Sequence, residues 1–199
     1  MRLDLISKYF IPSKVLDIGA NVGQFHQLFK TWYPSSYVYS VEASEDCEKY
    51  LQEITNDYYI GLLAENEDEY DFHIISHDPL CTGMSLYKEN TEIWDHYSTS
   101  VKKKGITLDK LFENQEFDLI KIDVQGAEID VMNGGKNLCQ KAKGIILEVS
   151  LTQYNENAPL YDEVISYMGS INFKVAEILD TTKNGKSHQQ DILFINQNK

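Results

Sequence analysis

Cysteine is scarce in this 199-residue chain. Its three copies, Cys47, Cys81 and Cys139, are odd in number, and no two stand in a Cys-x-x-Cys spacing. That excludes a disulfide framework and the usual zinc and redox signatures, and points to a reducing, cytoplasmic setting. Basic residues are outnumbered 18 to 31 by acidic ones, for a formal charge of −13. Such a surface repels phosphate, so neither nucleic acid nor an anionic membrane is an expected partner. The single basic run, Lys102-Lys103-Lys104, reads as a solvated turn. Long apolar runs are missing too, and residues 1–10 carry Arg2, Asp4 and Lys8, so neither a membrane span nor a signal peptide is expected. Repeats, low-complexity tracts and linkers are lacking. What is present is 42% hydrophobic residues, enough for one globular domain over residues 1–199. An acidic domain of this kind suits a small or neutral substrate.

The chain is organised around Val15-Leu16-Asp17-Ile18-Gly19-Ala20-Asn21-Val22-Gly23. Strand-type residues run into a glycine turn. Val22, Phe25, Leu28, Phe29 and Trp32 then recur at helical spacing, as an apolar stripe facing a sheet. Strand, glycine turn and helix open a nucleotide-cradling unit, in which glycines admit a close backbone approach and the helix start offers amides. The spacing is Asp-x-Gly-x-x-x-Gly, not the Gly-x-Gly-x-x-Gly of dinucleotide folds. A carboxylate at the strand end repels a pyrophosphate and holds a cationic amino acid. S-adenosylmethionine therefore suits the turn better than NAD.

Strands and helices alternate along the rest of the chain. A short leading helix is expected over residues 1–11, a second strand over 37–41 ending at Glu42-Ala43, a helix over 45–54 and a third strand over 58–64. Glu42 lies about twenty residues past the glycine turn, where an acid can accept from ribose hydroxyls. Residues 70–76 read as a hairpin extension of the third strand. Residues 77–105 are the least regular part; the stretch 77–100, with His77, Trp94, His96 and Tyr97, is expected to form a mobile acceptor-facing wall. Thr107 caps a short helix. A fourth strand spans 117–123, buried on both faces except for Lys121. A helix from Gly126 breaks at Gly134-Gly135 and resumes over 137–142. A fifth strand spans 144–150 and a further helix 159–170. Two last strands, 173–179 and 190–196, flank an Asn184-Gly185 turn and should pair antiparallel.

Three blocks together resemble the FkbM family of S-adenosylmethionine-dependent methyltransferases. They are the nonamer above, Val41-Glu42-Ala43, and Ile120-Lys121-Ile122-Asp123-Val124-Gln125-Gly126-Ala127-Glu128, the most specific of the three. Thr82-Gly83-Met84-Ser85-Leu86 is similar to the family's loop before the fourth strand, and Ile146-Leu147-Glu148-Val149 to its fifth strand. The resemblance covers about residues 12–150. It implies an α/β class I methyltransferase fold: a Rossmann-like sheet of seven mostly parallel strands with an antiparallel C-terminal hairpin and helices on both faces. It also implies O-methylation, commonly of a hydroxyl on a sugar, glycan or secondary metabolite, with S-adenosyl-L-methionine as cofactor. The family usually has Glu where this chain has Gln125. A catalytically inactive cofactor-binding partner subunit is therefore the alternative.

Ligands of open α/β sheets bind beyond the strands' carboxyl ends, where strand order reverses. Asp17, Gly19, Ala20, Asn21, Gly23 and Asp123 should converge there, with Glu42 and Ala43 at the ribose. Leu62, Leu63 and Ala64 either line the adenine or belong to the core. Methyl transfer to oxygen needs a positioned hydroxyl and a proton acceptor. Asp123 and Glu148 are the candidate catalytic groups. Glu148 could instead pair with Lys121, and His77 or His96 could be the base. Glu128 should cap or buttress the loop. With an amide at Gln125 and only two carboxylates nearby, no metal site is expected. The acceptor would be a small molecule or glycan, the chain a monomer or homodimer.

Overall fold

The computed structural model describes residues 1–75, 80, 83–181 and 188–199. The leading segment is a 3-10 helix, Leu3–Lys8, that buries Leu3 and Ile6. After it come β1 (Lys14–Ile18), α1 (Gln24–Trp32) and β2 (Tyr37–Glu42). Phe25 and Phe29 of α1 are buried against the sheet, as their spacing predicts, and His26 joins them with Nδ1 3.0 Å from Ser40 Oγ. Leu28 and the helix's final residue, Trp32, are exposed; the inward stripe is narrower than the spacing suggests.

The segment expected as the 45–54 helix is a 3-10 turn, Glu45–Cys47, running into α2 (Glu48–Gln52). The third expected strand is then cut in two at Gly61, whose N–H donates to the Glu42 carbonyl at 2.8 Å. β3 (Tyr58–Ile60) stays in the main sheet, while β4 (Leu62–Leu63) leaves it. β5 (Glu69–Ile75) does not hairpin onto β3. It pairs antiparallel with β6 (Ser98–Ile106), which also takes β4 alongside it in parallel, making a second, three-stranded sheet.

That second sheet overturns two expectations about residues 77–105. The stretch ends in regular structure, with α3 (Glu92–Tyr97) leading into β6. Lys102, Lys103 and Lys104 lie on β6, not in a turn. Lys102 sits opposite Asp71 and bonds it at 3.0 Å, and Lys103 reaches both Glu45 oxygens and the Ala43 carbonyl. Acidic partners across the strand turn a basic run into a sheet-forming one. Trp94 is buried and belongs to the core, whereas Tyr97 is exposed. His77 and Thr82 lie outside the described residues, as does Cys81.

Thr107 caps α4 (Leu108–Leu111), its side chain accepting from the Lys110 N–H. β7 (Leu119–Ile122) and β8 (Gly144–Ser150) bracket α5 (Glu128–Asn133) and α6 (Lys136–Lys141), which part at the glycine pair. α7 (Tyr161–Ser170) precedes β9 (Phe173–Thr181) and β10 (Gln189–Asn196). The Asn184-Gly185 turn lies outside the described residues, but the antiparallel pairing it announced is present.

The main sheet has seven strands in the order β3-β2-β1-β7-β8-β10-β9, and only β10 runs against the rest. Strand order reverses between β1 and β7. Successive side chains point to opposite faces. Leu16, Ile18, Ile120, Ile122, Ile145, Leu147, Ile192 and Phe194 pack on the face that also buries Leu108, Val131, Leu138 and Val164. Val15, Leu119, Ile146 and Leu193 pack on the other, against Leu3, Ile6, Phe25 and Phe29. By the same alternation, Asp17, Lys121, Glu148 and Asp191 belong to this second face. The polar row is thus built across four adjacent strands, out of residues far apart in the chain.

Candidate functional site

A cavity of about 340 Å³ opens where strand order reverses, beyond the carboxyl ends of β1, β2 and β7. Its floor is the turn after β1. Gly19 has φ +77° and Asn21 φ +47°. The N–H groups of Gly19 and Ala20 both donate to the Val41 carbonyl, at 2.9 and 3.0 Å, which ties the turn to β2. A Cβ on Gly19 would stand 1.7 Å from the Asp123 carbonyl oxygen, so only glycine lets the turn nest against the end of β7.

Glu42 is the group most firmly aimed. One carboxylate oxygen accepts the Asn21 N–H at 2.7 Å and the other the Ser44 N–H at 2.8 Å. Each keeps a further lone pair, and the residue lines the cavity. Burial raises its pKa, against the pull of those amides. Gly19, Ala20, Asn21, Glu42, Ala43, Leu63 and Asp123 all border this space, as does Leu62; Ala64 is buried outside it.

Gly23, Asp17 and Glu148 do not border it. Gly23 caps α1 with φ +81°. Asp17 is fully buried on the α1 face, beside Lys121 in the strand register, and neither of its oxygens accepts a hydrogen bond among the described residues. Its expected place at the strand's tip is overruled by the pleat: the carboxylate points sideways into the sheet's packing, not forward into the cavity. Glu148 is bonded by Gln125 Nε2 at 2.7 Å and Gln189 Nε2 at 2.8 Å. Lys121 pairs with Asp123 at 2.9 Å, not with Glu148, and lies over the Phe25 ring. His96 is exposed on α3, away from the cavity. Among the described residues, no group of three acidic, histidine or cysteine side chains is placed to hold a metal ion.

Several cavity residues escaped the motif reading. Phe72 arrives from the second sheet and Gln24, Phe25 and Leu28 from α1; Met84, Ser85 and Leu86 join them from the loop that the family resemblance had marked. Gln125, with φ +54°, closes the wall beside Asp123. Glu128 braces that turn by accepting the N–H groups of Val124 and Gly126. Helical spacing marked Phe25 and Leu28 as sheet-facing and did not mark Gln24; Phe72 had no local signal, since only the second sheet's docking brings it in.

Lys121 is the ammonium within the acidic row, and the N-terminal ammonium also acts on Asp191. Burial alone would lower the Lys121 pKa, but the carboxylates of Asp123 and Asp17 outweigh it and leave it raised. Burial would push Asp123 up, yet Lys121 and hydrogen bonds from Gln125 and Glu148 hold it below the ordinary range. Glu148 is well raised, by burial and then by the Asp123, Glu128 and Asp191 charges. Asp17, Asp191 and Glu128 are each pushed up to about 7, chiefly by burial.

These shifts make stability depend on pH in a definite direction. Between about pH 4 and pH 7 the folded chain keeps protons on raised carboxyls that the unfolded chain has lost, so stability falls as pH rises through that window. Asp118, held down to about 2 by Lys143 and Ser13 against burial, acts only below it, where its contribution is lost as pH falls. The protein should be more stable near pH 5 than near pH 8 by on the order of a few kcal/mol, with a correspondingly higher melting temperature. A melting temperature that climbs from pH 5 to 8 would contradict the assignment.

A methyltransferase FkbM domain model matches residues 17–175 of this sequence. The chain belongs to the FkbM methyltransferase family. The family's methyltransferases depend on S-adenosylmethionine, and the seven-stranded architecture is that of class I enzymes. The crystal structure of methyltransferase FkbM from Methylobacillus flagellatus KT superposes with a TM-score of 0.60 at 14% identity. The match takes in 92% of this chain and 43% of that one, so this chain spans less than half the length of that relative. The magnesium protoporphyrin IX methyltransferase ChlM of Synechocystis PCC 6803, solved with bound SAM, has a TM-score of 0.52 at 13% identity, over 97% of this chain and 74% of that one. A TehB-like SAM-dependent methyltransferase from Corynebacterium glutamicum ATCC 13032 Kitasato gives 0.51 at 12%, over 98% and 86%. No curated protein sequence matches. Among the described residues no helix is long and apolar enough to cross a membrane.

Proposed function

We propose that this chain binds S-adenosylmethionine in the cavity beyond β1, β2 and β7 and transfers its methyl group to a hydroxyl of a sugar, glycan or secondary metabolite. The observation that carries the reading is Glu42: a carboxylate fastened by two backbone amides, facing a cavity whose glycine turn admits no side chain. Its spare lone pairs suit a ribose diol, and Leu62, Leu63 and Phe72 offer an apolar wall for a base. When bound, the cofactor supplies an electrophilic methyl on sulfur.

The chain's own contribution is placement and a proton acceptor. With the cofactor held at Glu42 and the glycine turn, the acceptor oxygen would take the methyl group from sulfur, and Asp123 would take the hydroxyl proton. A carboxylate of low pKa suffices, because an oxygen being alkylated becomes a far stronger acid than the carboxylic acid that results. The transfer is metal-independent in this reading, since Lys121 and Gln125 already engage both Asp123 oxygens. The acceptor is a neutral small molecule or glycan, and the protein works as a monomer or homodimer.

Binding measurements test the first half. S-adenosylhomocysteine should raise the melting temperature, and Glu42→Ala should weaken its binding by roughly 10- to 100-fold, the worth of hydrogen bonds to a charged group. Stabilisation by NAD with no response to S-adenosylhomocysteine would overturn the cofactor reading. A second reading, a cofactor-binding subunit without transferase activity, rests on Gln125 standing where the family usually has Glu. Methyl transfer from labelled cofactor to any acceptor would dismiss it.

A further inference from the structure

We propose that Gln125 is a positioning residue: its side-chain amide clamps Asp123 and Glu148 into one pair that shares a single proton, with Asp123 as the ionised member. The inference rests on the reading of Asp123 as proton acceptor and says how its protonation state is set. The amide nitrogen of Gln125 lies 2.9 Å from Asp123 Oδ1 and 2.7 Å from Glu148 Oε2. Its two N–H bonds are both spent on the pair, one on each carboxyl.

Glu148 Oε2 also accepts Gln189 Nε2 at 2.8 Å. An oxygen taking two donors is an acceptor, so a proton carried by Glu148 belongs on Oε1. Glu148 acts on Asp123 as a donor, which helps to hold the Asp123 carboxyl below its ordinary range. Asp123 receives only donors: Lys121 Nζ on Oδ2, Gln125 Nε2 on Oδ1, and Glu148. These donors outweigh burial at Asp123 and favour its charged form, whereas at Glu148 burial and the neighbouring carboxylates outweigh Lys121 and favour the neutral one.

Charge counting requires the same distribution. The groups facing the pair are Lys121 on β7, Asp17 on β1, Glu42 on β2, Asp191 on β10 and Glu128 on α5. Lys121 and, at Asp191, the N-terminal ammonium are the cations set against these carboxyls, too few for all of them to ionise, so some must keep their protons. A carboxylate at position 125 would lack the donors and add one more negative charge. An amide satisfies both acids at once. The backbone is held in the left-handed region at Gln125 to bring it there, with φ +54°.

The test is carboxyl 13C NMR of the full chain labelled in its Asp and Glu side chains, titrated from pH 3 to 9. Asp123→Asn and Glu148→Gln provide the assignments. In the native protein Asp123 should stay ionised below the ordinary carboxyl range while Glu148 releases its proton well above it. Gln125→Met preserves length and bulk without the donors. It should raise the proton affinity of Asp123 about tenfold, the loss of one hydrogen bond to its charged form. Independent titration of the two acids near pH 4 in the native chain would overturn the proposal by itself, whether or not the methionine variant folds. An unmoved Asp123 titration in Gln125→Met would overturn it as well. Calorimetry with S-adenosylhomocysteine on the same samples separates the two claims: failure to bind removes the cofactor reading, while the clamp is still decided by the titrations.

Discussion

Gly19→Ala will abolish S-adenosylhomocysteine binding and destabilise the protein by about 4 kcal/mol or more, some 10 °C in melting temperature. The added Cβ would lie 1.7 Å from the Asp123 carbonyl oxygen and 2.8 Å from its carbon. Backbone meets backbone there, so no rotamer change relieves the overlap. The φ of +77° adds left-handed strain. The turn must lift from β7, and the Gly19 and Ala20 bonds to Val41 go with it. Gly23→Ala makes a sharp comparison. Its Cβ would meet the tip of Ile54 at 2.4 Å, a flexible end that can swing aside, so its cost should stay near that of the left-handed backbone alone. Near-native melting and S-adenosylhomocysteine affinity in Gly19→Ala would mean that the turn does not seat against β7 as described.

Asp123→Asn is expected to cut turnover by roughly 10²-fold or more while leaving S-adenosylhomocysteine affinity within a few-fold. The amide keeps the shape but cannot accept a proton, and it removes the carboxylate bonded to Lys121. Asp17, next to Lys121 in the register, would then be drawn into its ionised form by the cation it no longer shares. A parallel assay in EDTA should leave native turnover intact. Full activity in Asp123→Asn would remove it as the proton acceptor; activity lost in EDTA and restored by magnesium would replace the metal-free mechanism and leave the family assignment standing.

Much of this was legible in the chain. The glycine turn announces itself because a strand followed at once by glycines and an amphipathic helix has few other ways to fold. Glu42 at the end of the second strand follows from the twenty-residue length of a strand-helix-strand unit. Asn184-Gly185 foretold the antiparallel pairing of the last two strands, since that dipeptide fits the turn a hairpin needs. Residues 58–75 were misread for an equally physical reason. Alternating residues mark a strand but do not choose its partner, and β5 found its partner in β6, where Lys102 and Lys104 lie opposite Asp71 and Glu69.

Local pattern therefore determined the βα unit and the placing of Glu42 at a strand's end, because each rests on short stretches of chain, while the count of seven strands came with the family resemblance. Tertiary structure alone decided which carboxylates face the cavity and which keep a proton. Asp17 and Asp123 look alike in sequence, each an acid at or just past a strand's end. The pleat turns Asp17 into the packed α1 face, while Asp123, one residue past β7, reaches the cavity. Lys121, Glu148, Asp191 and Gln125 acquire their roles only when four strands from distant parts of the chain lie side by side. Protonation depends on burial and on the nearest charges, and neither is a property of neighbours in sequence.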